Sequence, residues 1–349
     1  MTNSLQKIDI LSLSYEELEK EIISLGEPKF RAKQVFGWIN KGAWGEEMRN
    51  IPLQLRQKLE EHFIYKLPSV ERKLVSSIDG TIKYLFKLYD GELIESVFMR
   101  YEHGNTLCIS SQVGCLMGCK FCASTLLGKT RDLAPSEMLG QIISAEKDTG
   151  ERISNVVMMG IGEPLDNYDN TIKFLHLVSS ENGLNIGLRH ISVSTCGLVD
   201  KIERLSGEGL PITLSISLHA YDNDVRSEIM PVNKKYPIEK LLTACQKYFE
   251  KTSRRISFEY TLIEGKNDTI EGACRLASII KKYIHSPCHV NLIPLNEVKE
   301  TKLSTSKNVT GFKNKLISLG INATVRRRLG SDINASCGQL RKGAKEENK

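Results

Sequence analysis

The sequence has no apolar run near the roughly 18 residues that a membrane-crossing helix requires. Its first residues, Met1 to Leu11, hold neither a basic stretch leading into an apolar one nor a small-residue cleavage site. The expectation is a cytoplasmic protein with no membrane partner. Compositional bias is missing too: 40% apolar, 26% charged and 7% aromatic residues exclude a fibrous or disorder-dominated chain. No internal repeat recurs at a solenoid period. Nor do the cysteines form an even set. There are nine, which without an export signal argues against a disulfide framework and for reduced thiols, metal ligands or redox chemistry. The formal charge of +6 is compatible with a polyanionic partner without demanding one. Arg326, Arg327 and Arg328 stand together, and Arg341, Lys342 and Lys345 follow near the C-terminus. Such runs are also what a solvated face looks like.

A chain of 349 residues allows one large domain or about two to three of ~150 residues. Apolar spacing predicts helices over 15–25, 31–40 and 53–63, broken by Gly26 and Pro28 and reopened by Pro52. These assign residues 1–74 to a small helical N-terminal domain. Residues 75–100 read as connecting strands around the turn pairs Asp79-Gly80 and Asp90-Gly91. From 101 to 335 strand-like and helix-like segments alternate. Strands are expected over 106–110, 153–159, 190–194, 212–218, 256–262 and 290–294, and near 323–326. Helices are expected over 135–149, 168–180, 198–206, 238–252, 269–283 and 309–319. Repeated β/α units imply an α/β fold with a parallel sheet, either doubly wound or curved into a partial barrel, with ligands at the C-terminal strand ends. Residues 336–349 form a C-terminal segment ending in a hydrophilic tail.

After the first of these strands comes Gly114-Cys115-Leu116-Met117-Gly118-Cys119-Lys120-Phe121-Cys122. Cys115, Cys119 and Cys122 would share one face of a helix. Gly114 and Gly118 disfavour a helix by about 1 kcal/mol each and let backbone wrap a ligand closely. A zinc site would need a fourth protein ligand or an open catalytic position. Three thiolates in one loop can instead hold three irons of a 4Fe-4S cube, leaving the fourth without a protein ligand. This spacing resembles the signature of the radical S-adenosylmethionine (SAM) superfamily. The resemblance implies a partial (β/α)6 barrel, a 4Fe-4S cluster on Cys115, Cys119 and Cys122, and SAM chelating the open iron, where an electron splits it to a 5'-deoxyadenosyl radical.

Further strand ends fit that resemblance. Gly160-Ile161-Gly162-Glu163-Pro164 is similar to the glycine-rich SAM element, which assigns SAM binding to Gly162 and Glu163. Ser194, the run Ser217-Leu218-His219, and Asn296 close other strands, where small polar groups can bond SAM without filling the cavity. Each alone is an ordinary loop residue. Cys196, Cys245, Cys274 and Cys288 are expected to be inert core thiols.

Two more cysteines narrow the resemblance. Cys108 lies seven residues before Cys115, and Cys337 sits in Ala335-Ser336-Cys337-Gly338-Gln339-Leu340. With the cysteine loop and the Gly-Glu-Pro-Leu element, the whole chain resembles the RlmN family. That resemblance implies methylation of adenosine C2 in 23S rRNA and in tRNA. Adenine C2 is too electron-poor to attack a methyl sulfonium, so a radical route is needed. By resemblance, one SAM methylates the Cys337 sulfur, and a second yields the radical that abstracts hydrogen from that methyl group. The methylene radical then adds to adenine. Glu95 matches the proton acceptor, and Cys108 matches the thiol that frees the product through a transient disulfide with Cys337. A C8-methylating Cfr-type enzyme is the sibling reading, and a non-enzymatic iron-sulfur or zinc module that binds RNA is the rival from another class. An electron donor is implied, and a monomer is expected.

Overall fold

The computed structural model describes residues 7–296 and 303–335. Its centre is one ten-stranded sheet whose spatial order follows the chain from one edge to the other. In chain order the strands are β1 (Ser69–Val75), β2 (Ile82–Lys87), β3 (Leu93–Met99), β4 (Thr106–Cys108), β5 (Asn155–Met158), β6 (Ile191–Thr195), β7 (Thr213–Ser217), β8 (Ile256–Leu262), β9 (Cys288–Pro294) and β10 (Ala323–Val325). Pairings from β1 to β4 are antiparallel, and those from β4 to β10 are parallel. An order that rises without reversal has no switch point, so the doubly wound alternative is excluded and the parallel strands form a partial barrel. Closure is blocked because β3 occupies the free edge of β4, with Val97 opposite Cys108.

The helices are α1 (Tyr15–Ser24), α2 (Phe30–Ile39), α3 (Leu53–His62), α4 (Pro135–Thr149), α5 (Tyr168–Val178), α6 (Val199–Leu205), α7 (Asn223–Ile229), α8 (Ile238–Thr252), α9 (Ile270–Tyr283) and α10 (Val309–Ser318). Local chemistry sets their ends. Ser14 and Glu17 make a reciprocal capping box on α1. Proline opens α4, and Gly150 closes it at φ 69°. Asp222 caps α7 by accepting the Val225 N–H at 2.9 Å. The N-terminal helices share one continuous apolar core with the barrel, joining Leu18, Val35 and Leu55 to Ile142, Val156 and Leu214. Polar ties reinforce that junction: Lys147 Nζ donates to the Gly42 carbonyl at 2.7 Å, and the Ser144 hydroxyl to the Pro68 carbonyl at 2.8 Å.

Sequence reading and structure differ in several places, among them a short parallel pair, Ile8–Asp9 with Phe63–Ile64, inside the region expected to be helical. β1 begins at Ser69, ahead of residue 75 where the connecting strands were expected. Helix α7 lies in a stretch left without an element. The cysteine loop is closed at its base by a small antiparallel pair, Gln112–Gly114 with Lys129–Asp132. Among the described residues, no helix is long and apolar enough to cross a membrane.

Candidate functional site

The C-terminal strand ends surround a cavity of about 330 Å³. Cys115, Cys119 and Cys122 line one wall of it. Their loop leaves the sheet through a neck in which the Cys115 N–H donates to the Gly128 carbonyl at 3.2 Å. Gly114 sits there at φ 87°, and a Cβ on it would lie 1.8 Å from the Gly128 oxygen, so no other residue fits. On the far side the Lys120 N–H donates to the Ile229 carbonyl at 3.0 Å, tying the loop to α7. Cys119 packs with Cys196, Ile229, Met230, Ile263 and Leu295.

The three thiols fit an iron-sulfur cluster. All three line one cavity and come from one loop. Zinc needs every donor about 2 Å from one point. A cube spreads its ligands over separate corners. Burial pushes the Cys115 thiol up to about 12, with Cys122 and Glu163 adding to it, and burial with Cys122 and Cys115 pushes Cys119 up as well. A set of thiolates here therefore calls for a positively charged core between them.

The glycine-rich end of β5 winds closely around the neck. A Cβ on Gly160 would lie 2.5 Å from the Ile109 carbonyl oxygen, and one on Gly162, at φ 108°, would lie 2.6 Å from the Gln112 side chain. Glu163 is buried, and its carboxylate accepts hydrogen bonds from main chain as well as from the side chains of Thr195 and Cys196. Oε2 accepts the Cys196 N–H at 2.7 Å and Oε1 the Leu165 N–H at 3.1 Å. Burial raises its pKa, and those N–H donors oppose the rise. Its side chain thus fixes the end of β6 through the Cys196 N–H, and the residue lines the cavity.

Ser194, Ser217, His219 and Asn296 also line the cavity. The His219 Nδ1 accepts the Thr261 N–H at 2.9 Å, so the neutral ring carries its proton on Nε2. Burial, with Arg226 adding, lowers the His219 pKa to about 3. Phe121, the aromatic before the third loop cysteine, packs edge-on to this ring at 4.8 Å. Leu218 is different: it is buried in the apolar core and does not line the cavity, and its carbonyl accepts from Arg226.

Cys108 ends β4, lines the same cavity, and packs with Val97 and Met99. Glu95 lies on the face of β3 that carries Val97 and Met99, buried and paired with Lys83 at 3.1 Å. It does not itself line the cavity. Cys337 lies outside the described residues. The segment leading to it runs along the cavity through Arg326, Arg327, Arg328, Leu329 and on to Ala335. Leu329 and Ala335 pack against the group formed by Val97, Met99 and Cys108.

Several side chains here escape sequence reasoning. Arg226 is completely buried, and its guanidinium donates to the carbonyls of Leu218, Cys196, Ser217 and Tyr236 and to the Asn233 side chain. It joins the ends of β6 and β7. Asp222 before it and Pro231 after it were the available signals for its short helix. Glu259, on β8, lines the cavity with Asn291 and Ser257 donating to it at 2.7 and 3.0 Å. Cys196 lies at the cavity wall as well as in an apolar cluster, and burial beside Glu163 and Cys119 keeps its thiol protonated.

An open parallel barrel with a three-cysteine loop at its strand ends defines a radical SAM enzyme, a class that carries SAM and an iron-sulfur cluster. Residues 109–277 match the model of the radical SAM superfamily, and residues 8–64 match that of the ribosomal RNA large subunit methyltransferase N-terminal domain. The chain belongs to the RlmN family of radical SAM RNA methyltransferases. It is 52% identical over 338 residues to a probable dual-specificity RNA methyltransferase RlmN of Clostridium tetani, with 96% of each chain covered. A protein of the same description from Alkaliphilus oremlandii is 52% identical over 341 residues, covering 97% of this chain and 98% of its own. The crystal structure of a radical SAM methyltransferase from Sphaerobacter thermophilus superposes with a TM-score of 0.90 at 39% identity, covering 95% of this chain and 98% of that one.

Proposed function

We propose that this enzyme methylates C2 of an adenosine in 23S rRNA, and of one in tRNA, by way of a methyl group carried on Cys337. It works in the cytoplasm as a monomer, with one 4Fe-4S cluster on Cys115, Cys119 and Cys122, two SAM per turnover and an electron-donor protein. One observation carries the reading: the three-thiol loop, Cys108 and residues of the segment after β10, from Arg326 to Ala335, all border a single cavity. When bound, the cluster and SAM supply the electron and the homolysis that activate an S-methyl group.

The chain's own residues do the rest. The backbone of Gly162 and Glu163, with Ser194, Ser217, His219 and Asn296, holds SAM, and the His219 Nε2–H is its fixed donor. Cys337 brings its sulfur-bound carbon to the base. Glu95 takes the proton from C2, and the one unpaired electron left on the base by addition of the methylene radical would return to the iron-sulfur cluster held by Cys115, Cys119 and Cys122, leaving a closed-shell thioether. Cys108 then attacks the Cys337 sulfur: an S–S bond forms, the S–CH2 bond breaks, and its electron pair leaves with carbon, which is protonated to the product methyl group. Arg326, Arg327 and Arg328 at the cavity mouth offer phosphate contacts to a base drawn out of its stack.

The test is anaerobic reconstitution with iron and sulfide, reduction with dithionite, and mass spectrometry after reaction with 23S rRNA fragments and tRNA. The expected product is 2-methyladenosine, with 5'-deoxyadenosine formed alongside. Cys337→Ala should give none, and Cys108→Ala should accumulate a covalent enzyme–RNA adduct. An 8-methyl product would move the enzyme to the Cfr type, and methylation by Cys337→Ala would end the methyl-carrier reading.

A further inference from the structure

Strand β3 carries one row of side chains from the interior towards solvent. Alternation along the strand puts residues 95, 97, 99 and 101 on one face. Glu95 is buried, Val97 and Met99 line the cavity, and Tyr101, just past the strand end, lines it too. His103 continues the row and is exposed. Its ring stacks on Tyr101, with centroids 5.1 Å apart and planes 18° from parallel. The turn that carries both rings is firmly held. The Gly104 N–H donates to the Tyr101 carbonyl at 3.0 Å, and Gly104 adopts φ 117°, where a Cβ would lie 2.2 Å from the Ser154 hydroxyl oxygen. Glu151 grips both flanks, accepting from Arg100 Nε at 3.1 Å and from Asn105 Nδ2 at 3.3 Å. Arg326, Arg327 and Arg328 border the same cavity as Tyr101, and Arg327 and Arg328 are exposed.

We infer that Tyr101, backed by His103, is a stacking platform for an RNA base that flanks the target adenosine. The inference rests on RNA being the substrate. Single-stranded nucleic acid asks for a π face under a base and for cations near the phosphates on either side of it. The aromatic pair supplies the first and the arginines the second, at one cavity. A target base drawn out of its stack leaves a neighbour with one face uncovered, and an aromatic ring at the cavity restores that contact. Because His103 backs the ring and Glu151 holds the turn, little side-chain freedom is lost when a base settles on it. The adenine of SAM also has a π face. Its proposed contacts, however, stand at the ends of β5, β6, β7 and β9, whereas Tyr101 belongs to the connection between β3 and β4 and its stacking partner lies in solvent. A ligand that reaches out of the cavity, as an RNA chain does, meets this pair.

The test is a cycle that removes the ring and the base separately. Filter binding on cluster-loaded full-length protein uses the 23S rRNA fragment or tRNA that it methylates, either intact or with the base deleted from the nucleotide on one side of the target adenosine or the other. On wild-type protein one of the two abasic RNAs should bind about tenfold more weakly than intact RNA. Tyr101→Leu, which keeps the bulk without a π face, should bind intact RNA about tenfold more weakly and suffer no further loss on that abasic RNA. Tyr101→Phe, which keeps the π face, should match wild type on both. His103→Ala should lose less than Tyr101→Leu. Arg327→Ala should weaken intact and abasic RNA by the same factor, as a phosphate contact does. SAM affinity, read by equilibrium dialysis, should be the same in wild type and in the Tyr101 and His103 variants. No abasic penalty on either side in wild type, or a penalty equally large in Tyr101→Leu, would overturn the platform. So would a SAM affinity that falls in Tyr101→Leu while RNA affinity stays. Wild-type protein that neither binds nor methylates either RNA would instead remove RNA as the substrate.

Discussion

Two buried cations, one at the centre of the sheet and one in its antiparallel part, are handled in different ways. Arg226, between the ends of β6 and β7, has no carboxylate partner among the described residues and is satisfied by backbone carbonyls and one amide. Lys83, in the antiparallel part of the sheet, pairs with a carboxylate and lends a hydrogen bond to the arm that follows β10, residues 330–335, which is also held through Asp332 by Ser76 and Ser77 and through the Gly330 N–H by Asp79. The contrast separates two kinds of order. Around Arg226, strand ends that border the cofactor cavity are locked to one another through main chain that has no alternative donor. In the antiparallel part of the sheet the arm is docked mainly through side chains, those of Asp332, Ser76, Ser77, Asp79 and Lys83. Strand ends locked to one another keep a cavity's walls in place, whereas a segment docked through side chains can open without disturbing them.

Arg226→Met gives the largest effect expected on stability. It strands the carbonyls of Cys196, Ser217, Leu218 and Tyr236, at roughly 1–3 kcal/mol for each buried acceptor left without a donor. Relief from burying a guanidinium offsets part of that loss, and the net destabilisation should be about 4 kcal/mol by denaturant titration. SAM affinity should fall with it, since Ser217 and Cys196 both border the cavity. A loss under about 1 kcal/mol would erase the distinction between the two regions.

How far the sequence reaches follows the same division. Helices over Pro135–Thr149 and Ile238–Thr252 have the bounds that apolar periodicity and capping residues predict, because both signals are local and long. The parallel strands are legible as apolar runs for the same reason. Helix α7 is not: α6 is equally short but is the one helix between β6 and β7, whereas α7 shares the interval between β7 and β8 with the longer α8, where strand–helix alternation calls for only one. The pair Gln112–Gly114 and Lys129–Asp132 is hidden because its strands are very short and the cysteine loop separates them. Glycines at 114, 160 and 162 could be noticed as glycines, but what they make room for, carbonyls of 109 and 128 and the Gln112 side chain, is set by folding. Leu218 illustrates the limit from the other side. Its neighbours Ser217 and His219 line the cavity, and strand alternation turns its own side chain into the core. Asp332 and Ser76 lie at far ends of the chain, and no local pattern links them.

Acid should sharpen the comparison through His219. Its pKa falls from 6.5 to about 3 on folding, so the unfolded chain binds the extra proton between those values. The contribution of the neutral ring is complete above pH 6.5 and is lost progressively as the pH falls towards 3. Between pH 7 and pH 5 that amounts to about 2 kcal/mol. His219→Asn, whose side-chain oxygen can still accept the Thr261 N–H, removes the titration. The stability gap between wild type and this variant, measured by urea unfolding at the two pH values, should narrow by that amount on acidification. A gap independent of pH would place the ring in contact with water and remove it from the locked region.

The smallest effect belongs to the arm, and its smallness is the point. Asp332→Ala should leave the melting temperature at neutral pH without measurable change, because the side chain is exposed and its partners can turn to water. Local order should still respond: the Ser77 N–H, which donates to Asp332, should exchange with solvent faster in the variant. In wild-type protein both arm carboxyls are depressed below 3.8, Asp79 to about 2. Their contribution is therefore present above 3.8 and is lost only as the pH falls through the folded values. At pH 5, then, the His219 side of the molecule should already be weakening while the Gly330 N–H, which donates to Asp79, keeps its protection from exchange. If the Gly330 and Ser77 amides lose protection at pH 5 together with the barrel amides, arm and barrel open as one unit, and the arm is not the separately releasable element that its exposed hydrogen bonds imply.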